Sequence, residues 1–273
     1  MIDKSILEDF QKKAKNIRKN IVEMVYSANS GHPGGSLSIT DILVALYFSE
    51  AKVNVNNPKD ENRDRIVLSK GHCSPALYAV LSEKGFIPEE DLKTFRKIDS
   101  YLQGHPDMKK IPGVDMTSGS LGQGLSVSNG MAMAGKLDKK DFRVYCIVGD
   151  GEIEEGQVWE AAMSSSHYKL DNLCVVVDNN NLQIDGRVED VMNPHPIDKK
   201  FESFGFNVLV IDGHNYEEIL DAFEKARNTK GKPTAIIAKT IKGKGVSYME
   251  DKAGWHGKAP NEEEYNLAMK ELI

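Results

Sequence analysis

Apolar residues change their spacing several times along the chain, and each change predicts an element. Ile6, Phe10, Ala14, Ile17, Ile21 and Val25 recur mostly three or four positions apart, the period of one helical face, and predict a helix over residues 5–29. A second apolar run, ILVALYF, follows Thr40-Asp41 and reads as helical. Residues 65–68 (RIVL) predict a buried strand. Ser74-Pro75 offers an N-cap and a first-turn proline for a helix to about residue 83. Pro88-Glu89-Glu90-Asp91 opens another helix in the same way. Residues 121–135 (LGQGLSVSNGMAMAG) predict a helix of small residues able to approach a neighbour closely. Four further strands are expected at 143–148, 173–177, 207–211 and 235–238. They are apolar on both faces and separated by helical stretches, the pattern of a parallel sheet covered on both sides. Residues 239–260 carry four glycines and little periodicity; a stretch this long predicts a functional, mobile loop rather than a connector. Residues 262–272 read as a helix. No repeat or low-complexity linker divides the chain. The expectation is one α/β domain over residues 1–273, a parallel β-sheet sandwiched by helices.

Composition narrows the function classes. The 273 residues carry 35 Lys+Arg against 41 Asp+Glu, a net charge of −6, with 40% hydrophobic residues. That is enough apolar material for a core and excludes disorder as the main state. The acidic balance argues against a nucleic-acid partner, which needs a basic face. No apolar run approaches the roughly 18 to 20 residues of a membrane span, and the charged N-terminus lacks the apolar stretch of a signal peptide. The expected location is the cytoplasm. Cys73, Cys146 and Cys174 are odd in number and far apart, so they read as reduced thiols.

The strongest chemical signal begins at Val148, in VGDGEIEEGQVWEAA. An apolar strand runs into Gly149-Asp150-Gly151, then into a helix expected to start near Ile153. Glycines permit a tight turn and close approach of a ligand to the backbone. Strand carboxyl ends are where open α/β sheets bind ligands, and a helix N-terminus offers N–H groups to a phosphate. Thirty positions after Asp150, the strand LCVVVD runs into Asn179-Asn180-Asn181-Leu182. One intervening helix returns the chain, which places Asp150 and Asn180 on one sheet edge. A carboxylate and an amide oxygen suit a hard cation such as Mg²⁺, which keeps phosphates and water in its shell. The plain alternative is that GDG is a tight turn and NNN a polar one.

GDG followed about thirty residues later by Asn resembles the signature of enzymes that use thiamine diphosphate (ThDP). The chain more specifically resembles the N-terminal, diphosphate-binding section of transketolase, over roughly residues 15–260. The resemblance rests on SANSGHPGGSLS (27–38), VLSKGHCSPALYAVL (67–81), GHPD (104–107), GVDMTSGSLGQGLSVSNGMAMA (113–134), GDGEIEEGQVWEAA (149–162), VDNNNLQIDG (177–186) and WHGKAP (255–260). It implies a ThDP-binding fold, with Asp150, Asn180 and the main-chain carbonyl of Leu182 on Mg²⁺, or on Ca²⁺ or Mn²⁺ in its place. It implies that Gly149, Gly151 and the amide of Glu152 meet the diphosphate, with His72 and His256 nearby. Gly119, Ser120 and Leu121 would lie along the cofactor near its aminopyrimidine. His32, His72, His105 and His256 would line the substrate channel as catalytic groups, and Glu155 matches a glutamate near a subunit contact.

Judged as residues, these four histidines stand beside Gly or Pro in segments expected to be irregular, and loops at strand ends are where catalytic groups concentrate. An imidazole can exchange protons with a sugar hydroxyl near neutral pH; each one alone could equally bond to backbone. His167 and His195 read as structural; His214, in DGHN, is intermediate and, because a similar segment in the family is structural, is not taken as a candidate. Lys- and Gly-rich TIKGKG (240–245) lacks the spacing of a phosphate loop and reads as the start of the loop carrying His256. Gly122-Gln123-Gly124 has no strand before it, so a dinucleotide fingerprint is not supported.

Transketolases also have a pyrimidine-binding domain, which supplies a glutamate to the aminopyrimidine and arginines to the sugar phosphate. Only 17 residues follow His256. The expectation is therefore one subunit of a split transketolase, inactive alone. It would form the dimer core of a heterotetramer capped by two C-terminal subunits. The reaction implied is transfer of a two-carbon glycolaldehyde unit from a ketose phosphate to an aldose phosphate, with pentose-phosphate sugars as the default. Two alternatives stand beside it. One is the diphosphate-binding subunit of another ThDP enzyme, such as a 2-oxo-acid dehydrogenase E1 or a deoxyxylulose-phosphate synthase. The other is a non-catalytic regulatory subunit.

Overall fold

The structure, a computed structural model, describes residues 3–273. Helix α1 (Lys4–Ser27) opens on Asp3, whose side chain accepts the Ser5 N–H, and buries Phe10, Ala14, Ile17, Ile21, Val22 and Val25. It stops short of residue 29 because Asn29 takes a left-handed φ of 47°. Two short helices follow, α2 (Pro33–Ser38) and α3 (Thr40–Ala45), the latter continuing as a π-helical turn over Leu46–Glu50. Helix α2 has no counterpart in the apolar pattern. All six of its residues are buried, so it has no polar face and hence no amphipathic period to read.

Strand β1 (Arg65–Leu68) lies where expected and leads through a 3₁₀ turn (Gly71–Cys73) into α4 (Ser74–Lys84). The N-cap differs from the one expected: Cys73 holds that position and Ser74 is already helical. The Ser74 hydroxyl donates instead to the Gly104 carbonyl at 2.8 Å, tying the helix start to the segment before His105. The helix expected after Pro88 is only a 3₁₀ stretch, Glu89–Thr94.

The second half alternates as predicted. It contains α5 (Gln123–Leu137), β2 (Val144–Gly149), α6 (Gly156–His167) and β3 (Leu173–Asn179). The short α7 (Val188–Val191) and α8 (Ile197–Ser203) precede β4 (Asn207–Asp212). Then come α9 (Tyr216–Asn228), β5 (Thr234–Lys239) and α10 (Glu262–Glu271). The helix after Asp150 does not begin at Ile153. A 3₁₀ turn over Glu152–Glu154 intervenes, and α6 starts at Gly156. No α-helical N-terminus therefore directly follows the GDG turn.

The five strands form one sheet in the order β1-β2-β3-β5-β4, and every pairing is parallel. Successive strand residues go to opposite cores. Ile66, Tyr145, Ile147, Cys174, Val176 and Ile236 pack with α1, α3, α4 and α9 residues. Val67, Cys146, Val148, Val175, Val177 and Ile237 pack with residues of α5, α6 and α8. Each such side chain contributes about 1.5–3 kcal/mol on burial, which is why these strands read as unbroken apolar runs. Edge strand β4 is only partly covered. With all strands parallel, every carboxyl end points to the same edge, and the loops there make the site. Among the described residues no helix is long and apolar enough to cross a membrane.

Candidate active site

Four strand ends deliver side chains to one cavity of about 280 Å³. From β1 come Lys70 and His72; from β2, Gly149, Asp150 and Gly151; from β3, Asn180 and Leu182; from the chain after β5, Lys242. His32, just before α2, and His256 complete one side, with Gly119, Leu121 and Glu152 also in the wall.

Asp150 and Asn180 stand together because β2 and β3 are neighbours, with Gly149 in register with Asp178. The Asp150 N–H donates across to the Asp178 carbonyl at 3.3 Å. Asp150 is 2% exposed. One carboxylate oxygen accepts the Gly151 N–H at 2.9 Å; the other accepts the Asn179 amide at 3.2 Å and the Asn181 N–H. Burial, and then the neighbouring Asp178 charge, raise its pKa to about 6. The Asn180 amide nitrogen donates to Asp178 at 3.2 Å. Its oxygen accepts the Leu182 N–H at 3.1 Å and keeps a second lone pair. Gly151 has an ordinary φ of −69°, so the turn does not need glycine for its backbone. A Cβ there would stand 3.2 Å from Gln183 Cβ, a tight approach that Gln183 must yield to by a few tenths of an ångström.

Beneath this pair lies an Asp178 hub that the sequence did not reveal. Asp178 is fully buried and accepts from Ser38 Oγ at 2.6 Å, from Lys70 Nζ, from Thr240 Oγ1 and from Asn180. Lys70 also donates to the Gly35 carbonyl at 2.9 Å. Burial works against both charges, but each partner outweighs it, so Asp178 is held below the usual carboxylate range and Lys70 above the usual ammonium range. Lys242, read from the sequence only as the start of a loop, is 3% exposed. It donates to the Leu182 carbonyl at 3.2 Å and lies 3.1 Å from His256 Nδ1. Burial first, then Lys70, lower its pKa. The segment expected to be a mobile loop is packed, with Val246, Met249 and Trp255 all buried.

His32, His72 and His256 form a triangle, with ring centroids 5.1, 5.3 and 5.1 Å apart. Burial and surrounding positive groups depress all three, to about 4 for His32, about 3 for His72 and about 2 for His256. All three are neutral imidazoles at pH 7. His32 Nδ1 is buried without a hydrogen-bond partner among the described residues. The GHPG segment is not irregular: His32 is the N-cap position of α2. His105 is exposed and is not a wall of the cavity. Its ring packs on Gly119, where a Cβ would stand 3.1 Å away. Ser120 is likewise exposed beside the cavity, and Glu155 is exposed at the N-cap position of α6. His214, intermediate on the sequence, bonds Asp41 at 2.7 Å and accepts the Ile241 N–H at 2.9 Å, a structural role.

Glu152 is in the wall but its carboxylate is used internally. It accepts the Gly149 N–H at 2.9 Å, the Gly122 N–H at 3.0 Å and the Ser69 hydroxyl.

Residues 10–272 match the family described as "Transketolase, thiamine diphosphate binding domain". The chain belongs to the transketolase family. Similar relatives include an apulose-4-phosphate transketolase subunit of Phocaeicola vulgatus, 45% identical over 97% of this chain and 94% of that one. The 6-deoxy-6-sulfo-D-fructose transketolase subunit of a Clostridium species is 46% identical over 97% of this chain and 96% of its own. Human transketolase is 44% identical over 94% of this chain but only 41% of its own length. The crystal structure of Campylobacter jejuni transketolase superposes with a TM-score of 0.91 at 39% identity, covering 96% of this chain and 42% of that one. The chain thus spans about two fifths of these longer transketolases.

Proposed function

We propose that the chain is the N-terminal, ThDP-binding subunit of a split transketolase, a single domain over residues 1–273. Two relatives matched along 94% and 96% of their length are named as transketolase subunits, which supports this reading. The observation that carries it is the shared cavity: an oxygen set on one side, three neutral imidazoles on the other.

The residues fit the cofactor. Asp150, the Asn180 amide oxygen and the Leu182 carbonyl are hard oxygen donors suited to Mg²⁺, or to Ca²⁺ or Mn²⁺. They include only one carboxylate, so the ion keeps positive charge for a diphosphate. Among the described residues no cage of three His, Cys, Asp or Glu exists. Lys242, buried with no carboxylate within 4.0 Å among the described residues, suits the same anion. Gly149, Gly151 and the Glu152 amide line the diphosphate side, and Gly119 and Leu121 the other end, with Ser120 exposed beside it, where it would meet the aminopyrimidine. Bound there, the cofactor would supply the nucleophilic carbon and the electron sink that carbon–carbon cleavage requires. The chain's own part is to hold the metal, exclude water and handle protons. His32, His72 and His256 are neutral, so each can donate one N–H to a sugar oxygen and accept a hydrogen bond from a sugar hydroxyl at its other ring nitrogen. His105, at the rim, would meet the substrate as it enters.

The reaction proposed is transfer of a two-carbon glycolaldehyde unit from a ketose phosphate to an aldose phosphate. A C-terminal subunit would supply the pyrimidine-binding half. Exposed apolar residues on α5 (Val127, Leu137) and α6 (Met163) offer a surface for self-association as a dimer core. The three buried free thiols fit a reducing cytoplasm. The test is purification with the partner subunit, then a screen of ketose donors and aldose acceptors with ThDP and Mg²⁺. Two-carbon transfer by the mixture, and little by this chain alone, is expected. Full turnover by the chain alone contradicts the split reading, and consumption of pyruvate instead of a ketose favours another ThDP enzyme.

A further inference from the structure

We propose that Glu152 is a positioning residue whose buried carboxylate clamps the 119–124 loop against the GDG turn, and so sets the distance between the two ends of the cofactor cavity. The inference rests on the cofactor reading above and goes beyond it, because that reading uses only the Glu152 main chain.

The side chain is 3% exposed, and no Lys, Arg or His nitrogen lies within 4.0 Å of its oxygens among the described residues. A buried carboxylate without a cation partner is costly unless hydrogen bonds replace its hydration. Three donors do so, each from a different segment at or beside the cavity. Gly149 N–H belongs to the end of β2, at 2.9 Å. Gly122 N–H belongs to the loop before α5, at 3.0 Å. The Ser69 hydroxyl belongs to the end of β1 and in turn accepts the Gly124 N–H at 3.1 Å. Both oxygens are used: one takes Ser69 and Gly122, the other Gly149.

The packing shows that this contact is built in. A Cβ on Gly124 would stand 2.3 Å from Ser69 Cβ and Oγ, and one on Gly122 would stand 2.8 Å from Glu155 Cβ. Gly122 has a φ of 82°, a conformation open to glycine. The segments touch so closely that only hydrogen at these α-carbons fits, and the Glu152–Ser69 pair is the polar bolt across the joint. Gly119 and Leu121, which face the cavity, are carried on the clamped loop, while Asp150 and Gly151 sit on the turn to which it is clamped. Glu152 thus acts on the ring end of the cofactor through the loop; at the diphosphate end its carboxylate holds only the Gly149 N–H, while Asp150 keeps its own bonds to Gly151, Asn179 and Asn181.

Two probes separate these ends. Mg²⁺–ThDP spans both; Mg²⁺–pyrophosphate reaches only the GDG side. Calorimetry on the full chain together with its partner subunit should show that Glu152→Gln, which puts an N–H₂ where one or two donors point, weakens ThDP roughly tenfold, the loss expected of a charge-assisted hydrogen bond, and leaves pyrophosphate within about twofold. Ser69→Ala, a milder change, should move ThDP in the same direction by less. Equal losses for both probes mean a general structural role and overturn the proposal, as does unchanged ThDP affinity in both variants. Failure of the unaltered complex to bind Mg²⁺–ThDP at all overturns the cofactor reading itself, and the clamp with it.

Discussion

At the scale of single residues, Asp178 is the buried charge on which most of the site rests. It holds Lys70, Ser38, Thr240 and Asn180 at once. Asp178→Asn would leave the Lys70 ammonium buried without a counter-charge, and breaking such a pair costs about 3–5 kcal/mol. Urea unfolding should show a loss of this size, and Asp178→Asn combined with Lys70→Met should recover part of it. A loss under about 1 kcal/mol would contradict the hub. The histidines give a second residue-level prediction. His32, His72 and His256 titrate unfolded near 6.5 and folded near 4, 3 and 2. Between those values the unfolded chain holds more protons, so stability falls as pH drops from about 7 towards 4. Asp150 works the other way between 3.8 and about 6, as does Glu152, which burial also raises; between pH 7 and 5 the three imidazoles, which titrate unfolded near 6.5, act first and in greater number. The urea midpoint of the metal-free chain should be higher at pH 7 than at pH 5, and His72→Gln should narrow the difference. An unchanged difference would contradict an origin in the buried imidazoles. Asp150, Asn180 and the histidines were legible because each belongs to a short motif beside glycine or at a strand end. Asp178 and Lys70 were not, because a paired charge inside a parallel sheet edge leaves no periodic or compositional trace. Lys242 and Lys70 do share one readable sign: each stands two or three positions past the end of a strand, on the ligand edge.

At the scale of elements, the apolar pattern placed all five strands to within about two residues, because each is flanked by covering helices. It lost what depends on tertiary contact. Helix α2 is buried on every side. The first turn of α4 is capped at Cys73 rather than Ser74 because the Ser74 hydroxyl is drawn to Gly104. The start of α6 is delayed by a 3₁₀ turn that brings Glu152 back to Gly149. The α5–β1 joint gives the element-level prediction. Gly124→Ala places a methyl 2.3 Å from the Ser69 side chain, and overpacking of this kind costs about 1–3 kcal/mol. Gly130→Ala, in the same helix with nothing within 4 Å of the added carbon, should instead stabilise by up to about 1 kcal/mol through helix propensity. Equal effects of the two in thermal unfolding would contradict the close approach of loop and strand.

For the whole molecule, fold class and family were legible in the order of the motifs, and a five-stranded parallel sheet with a TM-score of 0.91 to a transketolase bears that out. Assembly was not legible in the same way, because an interface leaves only scattered exposed apolar residues. Val127, Leu137 and Met163 are 38%, 81% and 62% exposed. If they bury against a second copy, light scattering of the 30.3 kDa chain should give twice that mass, and Val127→Asp with Met163→Asp should return it to a monomer. A monomeric unaltered chain would contradict the dimer core. The proposed chemistry depends on something narrower: that Asp150, Asn180 and the Leu182 carbonyl hold a divalent ion that anchors a diphosphate. The decisive measurement is calorimetric titration of ThDP into the complex of this chain with its partner, run with Mg²⁺, with a chelator, and with Asp150→Ala. Binding should need the metal and weaken by roughly 100-fold or more in the variant, beyond the usual effect of residues that only orient metal ligands. ThDP affinity that is the same in all three titrations would contradict it.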